Sequence, residues 1–577
     1  MTLAPHAAPA AAPTRRAAGG APDTLHGHLL ARAAATPARV AIRRYDAARD
    51  EATPLLTWRA WADDALAVAA LLARAGVAPG DVVAVCADNA PCWPVADLGA
   101  LAAGAVVAGV YPTCTPAHLA AVLADCAARV LVVDTAAQLD KVRAVWAALP
   151  ALALVVCADG AAAGACGDAR VAAWDAWLPD GRRALADAAA HAAVHERAAA
   201  VRADDVAALV YTSGSTGEPK GACLPHAYLV ASAASVRDTL GLTDADSALS
   251  FLPYAHAAER VFGQATRVVC GMECALVADA ADTWRAARAY APTLFGGLPR
   301  HYEKAHDAVV AGERAGVPAH ETVAALFGRR LRRATSGGAP LPAASAARLA
   351  DAGCQVLGAY GQTEHLCVAM HRPGDRDVTS VGRPMPGTTV RIATADDAAR
   401  GDAVEGEILV RRAPLTFVGY RDRPEQTRAA FTPDGAWLRT GDLGALDADG
   451  RLHVTGRVRE ILALSTGRKV APLPIEARLA EHPAVSHAVV VGEGRRYAAA
   501  LLFLHEGAPS DGASVDGALA EHVARVNAAL PPHERVVRHV ALHHQLSVAG
   551  GDLTPTLKVR RPAVLARFAP EVEALYA

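Results

Sequence analysis

The chain has 577 residues and a formal net charge of -2, with 57 Lys and Arg against 59 Asp and Glu. That balance excludes bulk electrostatic attraction to nucleic acid or to an anionic membrane surface. Hydrophobic residues make up 53%, a figure inflated by alanine, and the length accommodates several domain-sized units.

The opening stretch, residues 1–23, is almost entirely Ala, Pro, Gly and Arg as far as Pro22. It has no continuous apolar core of the kind a secretory signal needs. It reads as a disordered tail, although an acid-free, Ala/Arg-rich start also has the character of a transit peptide. From Thr24 to about Ala200, helical spacing alternates with short β-branched runs. The spacing predicts a helix over Ala60 to Ala75, a strand over Asp81 to Cys86, a helix over Pro116 to Ala127 and a strand over Arg129 to Asp134. The longest apolar run, Leu98 to Tyr111, is broken by glycines and too short for a bilayer span. It is expected to be a buried helix leading into a strand. Alternation on this scale implies βαβ units and a parallel sheet.

Val206 to Val210 reads as a buried strand and runs into YTSGSTGEPKG, Tyr211 to Gly221. Gly214 and Gly217 let backbone N–H groups converge on an anion. Thr212, Ser213, Ser215 and Thr216 add hydroxyl donors, and Lys220 adds a positive charge for a phosphate oxygen. The loop therefore suits a polyphosphate. It is not the G-x-x-x-x-G-K-[ST] loop of Walker-type nucleotidases, because Pro219 precedes Lys220 and Gly221 follows it. A plain Gly/Ser/Thr linker is the alternative.

Further strands are expected near Cys274 to Val277, Thr293 to Phe295 and Cys354 to Leu357. The last leads into YGQTE, Tyr360 to Glu364, at a strand's carboxyl end, where α/β sheets bind ligands. Its ring, hydroxyl and carboxylate offer a stacking face, a phosphate contact and a Mg²⁺ ligand; the alternative is a turn with a capped helix start. TSGGAP, Thr335 to Pro340, is a second glycine-rich turn just upstream. From about 381 to 455 alternating strands such as Thr389 to Ile392 and Gly406 to Arg411 suggest a small antiparallel β-subdomain. Within it Asp442, in the turn of WLRTGDL, is suited to accept hydrogen bonds from two ribose hydroxyls. A mobile α+β domain is expected over 456–577, hinged at Gly456. It contains GRVREIL (Gly456 to Leu462), STGRK (Ser465 to Lys469) and LTPTLK (Leu553 to Lys558).

Eleven cysteines are scattered without a C-x-x-C pair, which suits free thiols in a reducing compartment. The 22 histidines include no H-E-x-x-H.

Taken in this order, the phosphate loop, YGQTE, TGD and GRVRE resemble the adenylate-forming superfamily. FLPYAHAAER (Phe251 to Arg260), LPRHYEK (Leu298 to Lys304) and LTPTLK are similar to its long-chain fatty-acyl-CoA synthetases in particular. The resemblance extends from Thr24 to the C-terminus. It implies a large N-terminal domain of parallel α/β sheets with a small β-subdomain, and a mobile C-terminal α+β domain. It implies an ATP-dependent ligase that converts a fatty acid to an acyl-adenylate and transfers the acyl group to coenzyme A, with Mg²⁺ as cofactor. The rival readings are an adenylating enzyme that loads a carrier protein and a catalytically silent nucleotide-binding paralogue.

By the same resemblance, Lys558 bridges carboxylate and α-phosphate, and Thr212 and Glu364 hold Mg²⁺. Lys220 belongs to the mobile phosphate loop, Tyr360 stacks on adenine and Gly338 lines the nucleotide pocket. Thr363 contacts the α-phosphate, and Asp442 with Arg457 grips the ribose. His256 would stand beside the acyl pocket, either gating the carboxylate or bonded structurally. Ser465 to Gly467 would swing toward the pantetheine channel, with Arg468 or Lys469 near CoA phosphates. The chain departs from the family pattern at Ala463 and Arg459, where many relatives carry lysine, and in a shortened stretch from Lys304 to Arg333. Fatty acid, ATP and CoA are the implied partners, with no nucleic acid. The expected location is cytoplasmic, with peripheral association at the inner face of a membrane because the substrate partitions into lipid. The sequence is compatible with a monomer or a homodimer.

Overall fold

The structure, a computed structural model of the full chain, describes residues 22–577 except 214–218, 376, 394–404, 507–511, 549 and 555–557; at 212, 213 and 512–514 it describes the backbone alone. The expected N-terminal tail lies outside the described residues up to 21.

Two large sheets dominate. The first has eight strands in the order Gly419–Tyr420, Pro219–Pro225, Val206–Ser213, Val106–Gly109, Val82–Cys86, Val130–Val133, Leu154–Cys157 and Val171–Ala173. From Val206–Ser213 onward every neighbouring pair is parallel. The second has nine strands and a parallel centre running from Val356–Gln362 through Arg333–Gly337, Leu294–Gly297, Ser247–Ser250 and Glu273–Leu276 to Val40–Asp46. Antiparallel strands close both of its edges.

Helices cover these sheets because the strands are apolar on both faces. Val82–Cys86 and Val130–Val133 are buried at every position, as strands with helices on either side must be. Helix Trp58–Arg74 begins where the Thr57 hydroxyl accepts the Ala60 N–H, satisfying an otherwise orphaned donor. It packs on helix Cys92–Ala102 at Gly99, where a Cβ would come within 2.6 Å of Val68 Cβ. The abundant small residues thus let helices approach closely. The apolar run 98–111 is indeed the end of a buried helix followed by the buried strand Val106–Gly109. Among the described residues no helix is long and apolar enough to cross a membrane.

The β-subdomain is a four-stranded antiparallel sheet, Val390–Ala393, Gly406–Arg411, Trp437–Leu446 and Leu452–Arg457. Gly456 pairs with Leu443 inside the last strand, which ends at Arg457 and passes into the short turn Val458–Glu460. The C-terminal portion has its own core of Val, Leu and Ile. It is built on the three-stranded sheet Val485–Val491, Ala498–Leu504 and Val536–Leu542, with helices Pro472–Leu479 and Gly512–Ala528.

Two local expectations change. The strand expected over Cys354 to Leu357 runs over Val356–Gln362 and carries Tyr360 within it. A two-residue turn, Thr363-Glu364, then reverses the chain into the antiparallel strand His365–Met370, so YGQTE is a hairpin tip and no helix starts there. The phosphate motif is also a hairpin: Tyr211 pairs with Gly221, Thr212 with Lys220 and Ser213 with Pro219. Gly221 lets the two strands close tightly, since a Cβ there would come within 3.2 Å of the Tyr211 ring.

Candidate active site

Both hairpins and the β-subdomain open onto one cleft. Tyr360 reaches across to Asp442, its hydroxyl donating to Oδ2 at 2.7 Å. On the other side Arg457 Nε stands 2.9 Å from Asp442 Oδ1, because Asp442 and Arg457 are cross-strand partners. Asp442 is buried, and these two partners fix the plane of its carboxylate. Burial first, and then the Asp442 charge, push the Tyr360 phenol well above its usual range, so it remains a hydrogen-bond donor. Gly338 follows Gly337, the partner of Ala359, and therefore stands level with Tyr360. Its φ of 87° suits glycine.

Thr363 and Glu364 are held from below. The buried Tyr228 hydroxyl donates to the Thr363 carbonyl at 2.9 Å and accepts the Leu366 N–H at 2.9 Å. The Glu364 carbonyl accepts from Phe417 N–H at 2.9 Å. Glu364 Oε1 accepts the Tyr420 hydroxyl. Among the described residues its second oxygen has no hydrogen-bond partner, so the carboxylate can take a hard cation, which binds oxygen ligands. Lys220 Nζ lies over the Tyr420 ring, 5.9 Å from its centroid. Tyr420 thus links the phosphate hairpin to Glu364. Sequence reasoning missed it, as it missed Tyr228. The sequence marks Tyr420 with no period or motif, only a neighbouring glycine, Gly419. Gly214, Ser215, Thr216 and Gly217 lie outside the described residues, and the side chains of Thr212 and Ser213 are likewise not described.

Lys558 completes the cleft from the C-terminal portion. Its N–H donates to Thr554 Oγ1 at 3.0 Å, and Thr554 N–H donates to its carbonyl at 2.8 Å. The side chain keeps access to solvent, yet enough protein surrounds it to lower its ammonium pKa. That lowering comes from desolvation first and Arg457 second, and is opposed by Asp442, Glu460 and Glu364. Lys558 therefore lies within electrostatic reach of the residues on the opposite wall. His256 is there too: burial, and secondarily the Lys558 charge, bring its pKa down to about 4. Its Nδ1 accepts the Ala258 N–H at 3.1 Å, which fixes the ring and leaves Nε2 as the protonated nitrogen.

Arg459 is within electrostatic reach of Tyr420. The hairpin bearing Ser465, Thr466, Gly467, Arg468 and Lys469 is exposed. Ala463 is exposed in the same hairpin, its N–H donating to Glu493 Oε2 at 2.8 Å.

Residues 29–421 match the AMP-binding enzyme family, and residues 459–577 match the AMP-binding enzyme C-terminal domain. The chain belongs to the AMP-binding enzyme family. This AMP-binding enzyme is 31% identical over 590 residues to the long-chain-fatty-acid–CoA ligase FadD15 of Mycobacterium bovis, a match covering 89% of the chain and 92% of that protein. It is 27% identical over 588 residues to the long-chain-fatty-acid–CoA ligase ACSBG1 of Mus musculus, covering 87% and 79%. Its motifs and these relatives put it on the long-chain acyl-CoA synthetase branch of the adenylate-forming superfamily. The fold matches that of the anthranilate CoA ligase AuaEII in complex with anthranoyl-AMP, with a TM-score of 0.76, 22% identity and coverage of 96% and 98%. It also matches the A-PCP didomain of the carboxylic acid reductase from Segniliparus rugosus, with a TM-score of 0.79, 22% identity and coverage of 96% and 82%.

Proposed function

We propose that this enzyme activates a fatty acid with ATP as an acyl-adenylate and transfers the acyl group to coenzyme A, releasing pyrophosphate and then AMP. The observation that carries the reading is the convergence of Lys558 with Glu364, Asp442, Arg457 and His256 in one cleft. A carboxylate and a triphosphate repel each other, so adenylation requires a cation between them and a fixed line of attack. Lys558 supplies that cation as a carboxylate oxygen bonds to the α-phosphorus and the bond to pyrophosphate breaks. Asp442, oriented by Tyr360 and Arg457, accepts the ribose hydroxyls. Tyr360 offers its ring to adenine across from Gly338, Thr363 offers a donor to the α-phosphate, and the phosphate hairpin with Lys220 embraces the β- and γ-phosphates. Glu364 and Thr212 would hold Mg²⁺, which supplies positive charge for the phosphate oxygens. His256 is neutral in the working pH range and adds no competing charge where the fatty carboxylate enters.

In the second half-reaction the CoA thiol attacks the acyl carbonyl and AMP leaves. The exposed Ser465–Lys469 hairpin is available for that step only if the C-terminal domain turns. We assign the pivot to the stretch from Gly456 to Glu460, where strand pairing ends. The lipid-soluble substrate argues for peripheral contact with a membrane.

The test is a turnover assay with purified protein, Mg-ATP and a panel of fatty acids, with and without CoA. AMP and acyl-CoA are expected in quantity only when acid and CoA are both present. No AMP with any carboxylate sinks the reading; thioester formed only on a carrier protein replaces CoA as acceptor.

A further inference from the structure

Helix Pro116–Asp125 ends on a carboxylate, where the negative end of the helix dipole disfavours one. What holds Asp125 there comes from distant parts of the chain. Its Oδ2 accepts the Tyr211 hydroxyl at 2.8 Å, across 86 residues, and its Oδ1 accepts from Arg423 Nη2 at 2.9 Å, across 298. The carboxylate is 15% exposed, and a partner on each oxygen fixes its plane.

Both partners lead to the cleft. Tyr211 pairs with Gly221 in the phosphate hairpin, next to the pair formed by Thr212 and Lys220. Its ring packs so closely on Gly221 that a Cβ there would stand 3.2 Å away. Burial, first of all, raises the Tyr211 phenol above its usual range, so it remains a donor to Asp125. Arg423 lies three residues beyond Tyr420. Its carbonyl accepts the Thr427 hydroxyl at 2.9 Å, and Thr427 Oγ1 in turn accepts the Tyr420 N–H at 2.9 Å. Tyr420 pairs with Ala222 of the hairpin and donates its own hydroxyl to Glu364. One carboxylate thus closes a ring of contacts between the strands that carry Lys220 and the tyrosine that supports Glu364.

We propose that Asp125 is a positioning residue for ATP: acting through Tyr211 and Arg423, it sets the spacing between Lys220 and Glu364 and so governs how tightly the β- and γ-phosphates are held. The inference rests on the nucleotide reading of the cleft given above. Lys220 and Glu364 belong to different sheets, and the phosphates and their Mg²⁺ must meet both at once, so a small change in their separation weakens the grip. AMP lacks those phosphates. Its ribose and adenine fall to Asp442, Arg457 and Tyr360, none of which is bonded to Asp125 or its two partners.

The test measures equilibrium binding of Mg-ATP and of AMP to the full chain, unaltered and as Asp125→Ala and Tyr211→Phe. Losing one hydrogen bond to a charged group should weaken Mg-ATP binding by about fivefold or more in each variant, with the affinity for AMP unchanged. The double variant should bind Mg-ATP no more weakly than Asp125→Ala alone, because both changes break the same contact. Tyr211→Phe keeps the packing of the ring and carries the test where Asp125→Ala does not fold. In turnover the change should appear in the KM for Mg-ATP, with thioester formation from supplied acyl-adenylate and CoA unaltered. Equal weakening of AMP and Mg-ATP would make Asp125 a merely structural residue, and unaltered Mg-ATP binding in both variants would remove it from the site; either result overturns the proposal. Binding needs no acid, so a native protein that binds Mg-ATP yet releases no pyrophosphate with any acid defeats the activity proposed above and leaves the positioning result standing.

Discussion

Asp442 and Glu364 are both acids in the cleft, but the residues around them differ in kind. Asp442 has a partner on each oxygen, Tyr360 and Arg457, and so behaves as a fixed acceptor. Among the described residues Glu364 has one, the Tyr420 hydroxyl, and under the proposed function its other oxygen would face the cation. Tyr420→Phe deletes that hydrogen bond without changing the packing of the ring. A bond of this kind contributes about 1 kcal/mol, or more to a charged group, so the KM for Mg-ATP should rise by roughly five- to tenfold with folding unaffected. An unchanged KM would mean that Glu364 needs no such positioning. Tyr360, Asp442 and Lys558 were legible in the sequence because each stands in a polar, glycine- or proline-marked motif whose chemistry is carried by residue type. Tyr420 was not, since an isolated tyrosine among Val418, Arg421 and Asp422 has no period or spacing to mark it.

At the scale of elements, the segment after His256 is wound as a π-helix over Ala258–Ala265, a geometry that occurs mostly at functional sites. It gathers charge in the interior. Arg260 pairs with the fully buried Asp97, whose other oxygen accepts from Gln264, and Arg260 Nη1 donates to the Val107 carbonyl at 2.9 Å. One face away, Arg267 and Glu259 pair at 2.6 Å, and Ser250 donates to the same Glu259 oxygen at 2.6 Å. These pairs join the π-helix to helix Cys92–Ala102 and to strand Ser247–Ser250, holding His256 at the cleft. Removing one partner of a buried pair strands the other, at a cost of about 3–5 kcal/mol. Asp97→Ala should therefore lower the urea midpoint sharply, and Asp97→Ala combined with Arg260→Met should recover much of the loss. Additive losses would show that the two residues are not coupled. The Asp97–Arg260 pairing was not legible beforehand, because ion pairing 163 residues apart leaves no local trace. The hairpin form of the two motifs was not legible for a related reason. A short apolar run fixes a strand's existence, but whether the chain turns back or enters a helix depends on the neighbouring strand that accepts its hydrogen bonds. The βαβ alternation, by contrast, was readable because its buried runs are apolar on both faces.

For the whole molecule, burial holds several histidines neutral: His226 at about 3, and His256, His365 and His487 at about 4. In the unfolded chain the same groups titrate near 6.5. Between these values the unfolded state binds more protons, so stability is full above about pH 6.5 and falls as pH drops toward about 4. Urea midpoints measured from pH 7 to pH 5 should decline, and His365→Gln should flatten the slope; a profile level across this range would contradict the burial. Lys558 stands 116 positions beyond Asp442 in the chain, yet both lie in one electrostatic neighbourhood.

The most direct test of that arrangement is to measure the two half-reactions separately in the Lys558→Ala protein. Adenylation, followed as fatty-acid-dependent pyrophosphate release, should fall by a factor on the order of 10²–10³, as when a charge-stabilising donor is lost from an active site. Thioester formation from supplied acyl-adenylate and CoA should stay close to that of the unaltered enzyme. Equal losses in both steps, or no loss in adenylation, would contradict an enzyme in which Lys558 serves the first half-reaction alone.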